Sequence, residues 1–187
     1  SFVALGAQIE ELHRVRQKYP TKKFLGGEFL LFLGHEKQLA LREADGKTKM
    51  ISEGERFVIR GETHDENQRR LAVQKFYRRC GKKYLAHRIE FFSKTMKLHP
   101  AKVSFRSQSS RWGSCSSAGH ISLNWRLLAA PAEVVDYVII HELAHLQHHD
   151  HSSRFWNLVA EYSPKYRSLK RWLKDHQWSF EFLATPE

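Results

Sequence analysis

Tyr137-Val138-Ile139-Ile140-His141-Glu142-Leu143-Ala144-His145-Leu146 is the stretch on which the reading of this chain turns. Pro131 stands ahead of it, at the one helical position where a missing N–H costs nothing. From there Val134, Val135, Val138, Ile139 and Leu143 recur at helical steps, so a helix is predicted from Pro131 onward. On that helix His141 and His145 are four residues apart, hence on one face and one turn from each other, and both imidazoles reach a single cation. Glu142 lies beside the first histidine, where it can act on a water in the remaining metal position. Such a cation makes the water more acidic, and the glutamate takes its proton. Two histidines and a glutamate on so apolar a helix are costly to bury without a compensating partner.

A tetrahedral site open to water needs a third protein ligand. His148, His149 and His151 crowd the next residues, and His151, six positions after His145, is favoured. Its return to the metal requires the helix to break. Asp150 tolerates unusual backbone angles and Ser152 or Ser153 can cap a following helix. His149 and Glu161 are the alternatives, the latter a carboxylate on the next helix. His148 is expected to face solvent or to support a ligand. Cys115 is read as a small buried residue, because a fourth protein ligand would close the site to water.

Outward from the motif, residues 20–63 alternate between short apolar runs and turn residues. Phe24–Leu33, Lys37–Arg42 and Arg56–Arg60 read as strands, with Asp45-Gly46 as a hairpin signal. A long helical pattern covers about Asp65–Lys97, its apolar positions being Leu71, Val73, Phe76, Tyr77, Cys80, Tyr84, Leu85, Ile89, Phe92 and Met96, and Pro100 ends it. Val103–Ser107 and His120–Leu128 read as strands around a polar turn. Helices after Ser152-Ser153 and over Ser168–His176 complete the chain. The expected fold class is α+β: a small antiparallel β lobe (1–63), then a helical lobe with a short sheet (64–187), the two together forming either separate lobes or one compact domain.

Composition narrows the function classes. The chain has 187 residues, 41% hydrophobic and 12% aromatic, so it can bury a core and is not a disordered segment. No apolar run approaches the roughly 20 residues that span a bilayer, so no membrane partner is expected. The two cysteines, Cys80 and Cys115, are too few for a disulfide scaffold. With no signal pattern at Ser1–Pro20, a cytoplasmic location is expected. The net charge is +11, and Asn67–Cys115 holds thirteen basic residues against Glu90 alone. A field of that sign suits a polyanion, so nucleic acid bound through residues 69–106 is a candidate partner. Few aromatics interleave these basic positions, which gives base stacking little support.

Taken together, Arg111-Trp112-Gly113-Ser114-Cys115, Ile121-Ser122-Leu123-Asn124-Trp125-Arg126-Leu127, Pro131, the run Tyr137–Leu146, His151-Ser152 and Phe155-Trp156 resemble the YgjP-like metallopeptidase family. The match is close over about residues 100–165 and in outline elsewhere. In metzincin-type zincins a glycine serves the turn after the second histidine; here His148 occupies that place. The resemblance implies a zincin-like catalytic lobe, one zinc per chain and hydrolytic activity, and it supports His151 as third ligand. SprT-like proteases, which act on DNA-bound proteins, are similar at greater distance. Members of the family have been regarded both as peptidases and as nucleoside triphosphate pyrophosphatases, acting for example on UTP. The expected substrate is therefore a peptide, with a nucleotide as the alternative. The site expected is His141, His145 and His151 on the metal, Glu142 as general base, and Arg111 as either an anion-stabilising cation or a structural arginine.

Overall fold

The computed structural model describes residues 22–107 and 111–183. The Ser1–Pro20 stretch invoked for location lies outside the described residues. Four strands come first: β1 (Phe29–Phe32), β2 (His35–Glu43), β3 (Lys49–Glu53) and β4 (Arg56–Gly61). Helix α1 (Glu66–Met96) follows, then β5 (Lys102–Arg106), β6 (Gly113–Cys115) and β7 (His120–Asn124). A 3-10 segment (Trp125–Ala129) leads into α2 (Ala132–Ala144), α3 (Ser153–Tyr162), α4 (Tyr166–Asp175) and a closing 3-10 segment (Gln177–Leu183). The class is α+β, as expected.

The first sheet has the order β1-β2-β4-β3. β1–β2 and β3–β4 pair antiparallel, but β2 and β4 run parallel, from Gln38↔Arg56 to Glu43↔Gly61, so the lobe is mixed rather than wholly antiparallel. The Asp45-Gly46 turn does reverse the chain. It sends β3 past its neighbour to the far edge, and β4 returns into the gap. Crossing there requires backbone to pass against backbone at Gly61. Its φ is +125°, and a Cβ on it would sit 2.6 Å from Thr48 Cα, which glycine alone accommodates. β3 and β6 escaped the sequence reading because each is short and neither alternates strongly.

Helix α1 begins where Asp65 accepts from the amides of Asn67 and Gln68, at 2.7 and 3.2 Å, the usual satisfaction of free first-turn N–H groups. It ends at Lys97, in a left-handed conformation (φ 54°), as the Leu98 amide donates to the Ser93 carbonyl. Its thirty-one residues span roughly 46 Å, and it packs on both the first sheet and the segment before α2. At the sheet, Phe32, Phe57, Phe76 and Tyr77 form an edge-to-face cluster. Buried Arg69 donates to the carbonyls of Lys23, Thr63 and His64. Toward α2, Arg88 makes a two-pronged pair with Asp136 at 2.7 and 2.8 Å. One continuous apolar core thus runs from Phe24 through α1 to Leu183.

These contacts also thin the basic stripe. Arg69 is buried on carbonyls, Arg70 pairs with Glu66 and Arg88 with Asp136. On the middle of α1 the exposed cations are Lys75, Arg78, Arg79 and Lys83. Among the described residues, no helix is long and apolar enough to cross a membrane.

Candidate metal centre

Helix α2 ends at Ala144 with His145 as its cap. The chain then tightens: the Leu146 amide donates to Leu143, and those of Gln147 and His148 to Ala144. Among the described residues, the non-glycine positions with positive φ are Phe24, Leu33 and Lys97. The turn therefore closes with no left-handed residue, and His148 fits where a glycine was the expected choice. Ser152 takes the N-cap position of α3 without a capping hydrogen bond from its side chain, and His151 is brought back over the end of α2.

His141, His145 and His151 each offer a ring nitrogen, and these atoms all lie within 4.8 Å of one another. Among the described residues this is the group that could hold a metal ion; His149 and Glu161 are exposed and outside it. All three imidazoles rest on one buried ring, Phe155, with centroids 4.9, 4.5 and 4.8 Å away. Trp156 stacks on His151 at 5.6 Å and lies 5.7 Å from His141. The sequence places Phe155 and Trp156 on the helix that follows Ser152-Ser153. Their position after His151 was the available signal that they also floor the site.

The donor set fits a divalent cation. Burial, then the neighbouring charges of His145, His151 and Lys170, pushes His141 down to about 3, so it is neutral near pH 7. Burial lowers His145 as well. Nδ1 of His145 lies 3.1 Å from the His148 carbonyl, which must accept the Nδ1 proton and so leaves Nε2 with a free lone pair. Nε2 of His141 and Nε2 of His151 face each other at 3.3 Å. Two ligands on a tetrahedral centre with bonds of about 2.05 Å are about 3.3 Å apart. A cation satisfies both lone pairs, whereas a direct hydrogen bond satisfies one.

Glu142 is 6% exposed, and its Oε2 is buried without a hydrogen-bond partner among the described residues. Burial raises its carboxyl to about 7. Above it runs β6, at the edge of the second sheet (order β5-β7-β6). A Cβ on Gly113 would meet Glu142 Oε1 at 2.6 Å and Cγ at 2.7 Å, so this glycine leaves room for the carboxylate. Sequence reading quoted Gly113 in its motif without this role; no local signal links it to Glu142. Tyr137 is pushed up to about 12, first by burial and then by Glu142 and Tyr166, and stays protonated. Burial, with Glu142, also raises the Cys115 thiol.

The edge of β6 is informative. The Asn124 amide donates to Trp112, and the Ser116 amide to His120. By antiparallel alternation, Trp112, Ser114 and Ser116 turn their backbone toward β7, and Gly113 and Cys115 turn theirs away. Among the described residues no strand pairs with that outer edge. β7 itself is central, flanked by β5 and β6, so it has no free edge, and the strand expected to run to Leu128 ends at Asn124, where the 3-10 segment begins. Arg111 is exposed, and its carbonyl accepts from Asn124 Nδ2 at 3.1 Å. Asn124 Oδ1 accepts from the Arg126 amide, so its side chain shapes the loop.

The chain falls in the class of metal-dependent hydrolases of the metallopeptidase type. The family model described as YgjP-like, metallopeptidase domain, matches residues 4–176, and the chain belongs to that family. Its structure is similar to the crystal structure of the metallopeptidase zymogen of Pyrococcus abyssi abylysin (26% identity, TM-score 0.45, covering 50% of this chain and 95% of that one). It is also similar to that of Methanocaldococcus jannaschii jannalysin, likewise a metallopeptidase zymogen (19% identity, TM-score 0.43, 50% and 94% covered). No curated protein matches the chain.

Proposed function

We propose that the chain is a zinc-dependent peptidase, with one zinc held by His141, His145 and His151 and Glu142 as general base. The observation that carries this reading is the placement of a buried, otherwise unpartnered carboxylate between three converging imidazoles and an open strand edge. Bound there, the cation supplies Lewis acidity to a water and to the carbonyl under attack. Phe155 fixes the three rings and the His148 carbonyl fixes the His145 tautomer. An extended peptide pairs with the outward N–H and C=O groups of Gly113 and Cys115, as added strands do. That pairing sets its backbone beside Glu142, which Gly113 touches. Glu142 Oε2 then accepts the water proton and delivers it to the leaving amine nitrogen. Arg111, two residues before Gly113, is the candidate to bind substrate at the same edge.

The test is a parallel assay of the zinc-loaded chain on unfolded proteins and on nucleoside triphosphates. Peptide-bond cleavage that disappears in His141→Ala supports this reading. Pyrophosphate release without any peptide cleavage overturns it in favour of a nucleotide hydrolase.

A further inference from the structure

The wall of the metal centre carries a cation that neither binds metal nor moves a proton. Lys170, exposed on α4, places its Nζ 4.8 Å from the centre of the Trp156 ring. That indole is stacked between neighbours: 5.1 Å and 16° to Tyr166, 5.6 Å and 26° to His151. The ammonium is thus one aromatic ring removed from the imidazole cluster. Among the described residues, Lys170 has no ion pair. The one acidic residue of α4, Asp175, lies at the helix's far end, whereas Arg167, Arg171 and Lys174 add positive charge. A lysine seated on an indole has surrendered part of its freedom to the ring contact, so capturing an anion costs it less ordering.

We propose that Lys170, held on Trp156, forms a cationic subsite beside the metal centre that selects peptides with an acidic side chain next to the scissile bond. This rests on the peptidase reading above and names its substrate class. The carboxylate of the substrate supplies the counter-ion Lys170 lacks, while Trp156 shields one side of the pair from water.

The experiment uses the zinc-loaded full chain and a set of peptides identical except for Glu, Gln or Lys on either side of the cleaved bond. Wild type should favour Glu over Gln by about threefold to tenfold in kcat/KM, the range of a partly solvated ion pair, with Lys poorest. Lys170→Gln should lose that discrimination and Lys170→Arg should keep it. Lys170→Glu should invert it in favour of the Lys peptide, a gain that no structural role for Lys170 explains. A wild type that does not discriminate, a preference that survives in Lys170→Gln, or loss of zinc from that variant overturns the subsite. A zinc-loaded wild type that cleaves none of the peptides overturns the peptidase reading, and the subsite with it.

Discussion

Gly113→Ala should separate folding from catalysis. The new methyl would stand 2.6 Å from Glu142 Oε1, 2.7 Å from Cγ and 2.9 Å from Cδ, where ordinary contact begins near 3.4 Å. Relief therefore requires a shift of about 0.8 Å, and the atoms that yield belong to the Glu142 side chain, not to backbone. Gly113 is not among the positive-φ glycines, and alanine in a strand is itself favoured over glycine by about 0.5–1 kcal/mol. Net stability should change by less than about 1 kcal/mol, and zinc content should be unchanged because no histidine moves. A displacement of this size at a catalytic group costs on the order of 10²-fold in rate. The assay is kcat/KM on a cleavable peptide, in wild type and in a Glu142→Gln background, with zinc content and urea midpoints measured alongside. The loss should appear in the first background and largely vanish in the second, because a misplaced base matters only where there is a base. Wild-type turnover in Gly113→Ala, or an equal loss in both backgrounds, would refute the argument that Gly113 acts through Glu142.

His151→Ala should lose most of its zinc, whereas His148→Ala should retain it, since His148 contributes its backbone carbonyl; elemental analysis reads both. Gly81→Ala should behave opposite to Gly113→Ala: its Cβ would meet the Trp125 carbonyl oxygen, a backbone atom, at 2.7 Å, so the urea midpoint should fall. Arg88→Ala removes the two-pronged pair with Asp136, whose side chains are 22% and 24% exposed, and should cost about 1–2 kcal/mol in urea unfolding. In the metal-free chain, His141 sits near 3 against an ordinary 6.5, so below pH 6.5 the unfolded state takes up a proton the folded state refuses and stability falls with pH. Glu142, raised to about 7 from 4.5, keeps a proton in the folded state between those values and opposes that fall. Metal-free Glu142→Gln should therefore lose stability between pH 6.5 and 4.5 more steeply than metal-free wild type.

Much of the fold was legible in the sequence because its helices announce themselves. α1 and α2 carry apolar residues at three- and four-residue steps and have clear boundary signals, Asp65 and Pro100 at the two ends of one and Pro131 at the start of the other. Pairing was less legible. Asp45-Gly46 reports that the chain reverses, but only the passage of Thr48 over Gly61 puts β4 between β2 and β3. At the site, His141, His145 and His151 share a local spacing rule, and the sequence brought them together. Gly113 and Lys170 are far from these histidines along the chain. Gly113 reaches Glu142 because α2 packs under β6, and Lys170 reaches Trp156 because α3, which carries Trp156, and α4 both pack on α2. No periodicity encodes either contact. Charge was misleading in the opposite way: Arg69 and Arg88 count toward a basic stripe in the sequence, yet the fold uses them on carbonyls and on Asp136.

In the proposed mechanism Glu142 moves the proton while the three histidines hold the metal. The direct measurement is the peptide-hydrolysis rate of Glu142→Gln against wild type at matched zinc content. The amide keeps the size of the carboxylate but cannot take a proton from water near neutral pH, and loss of a general base is worth roughly 10²–10⁴ in rate. Full zinc occupancy with turnover reduced at least about a hundredfold is the expected result. Undiminished turnover at full zinc occupancy, or loss of the zinc itself, would contradict the claim.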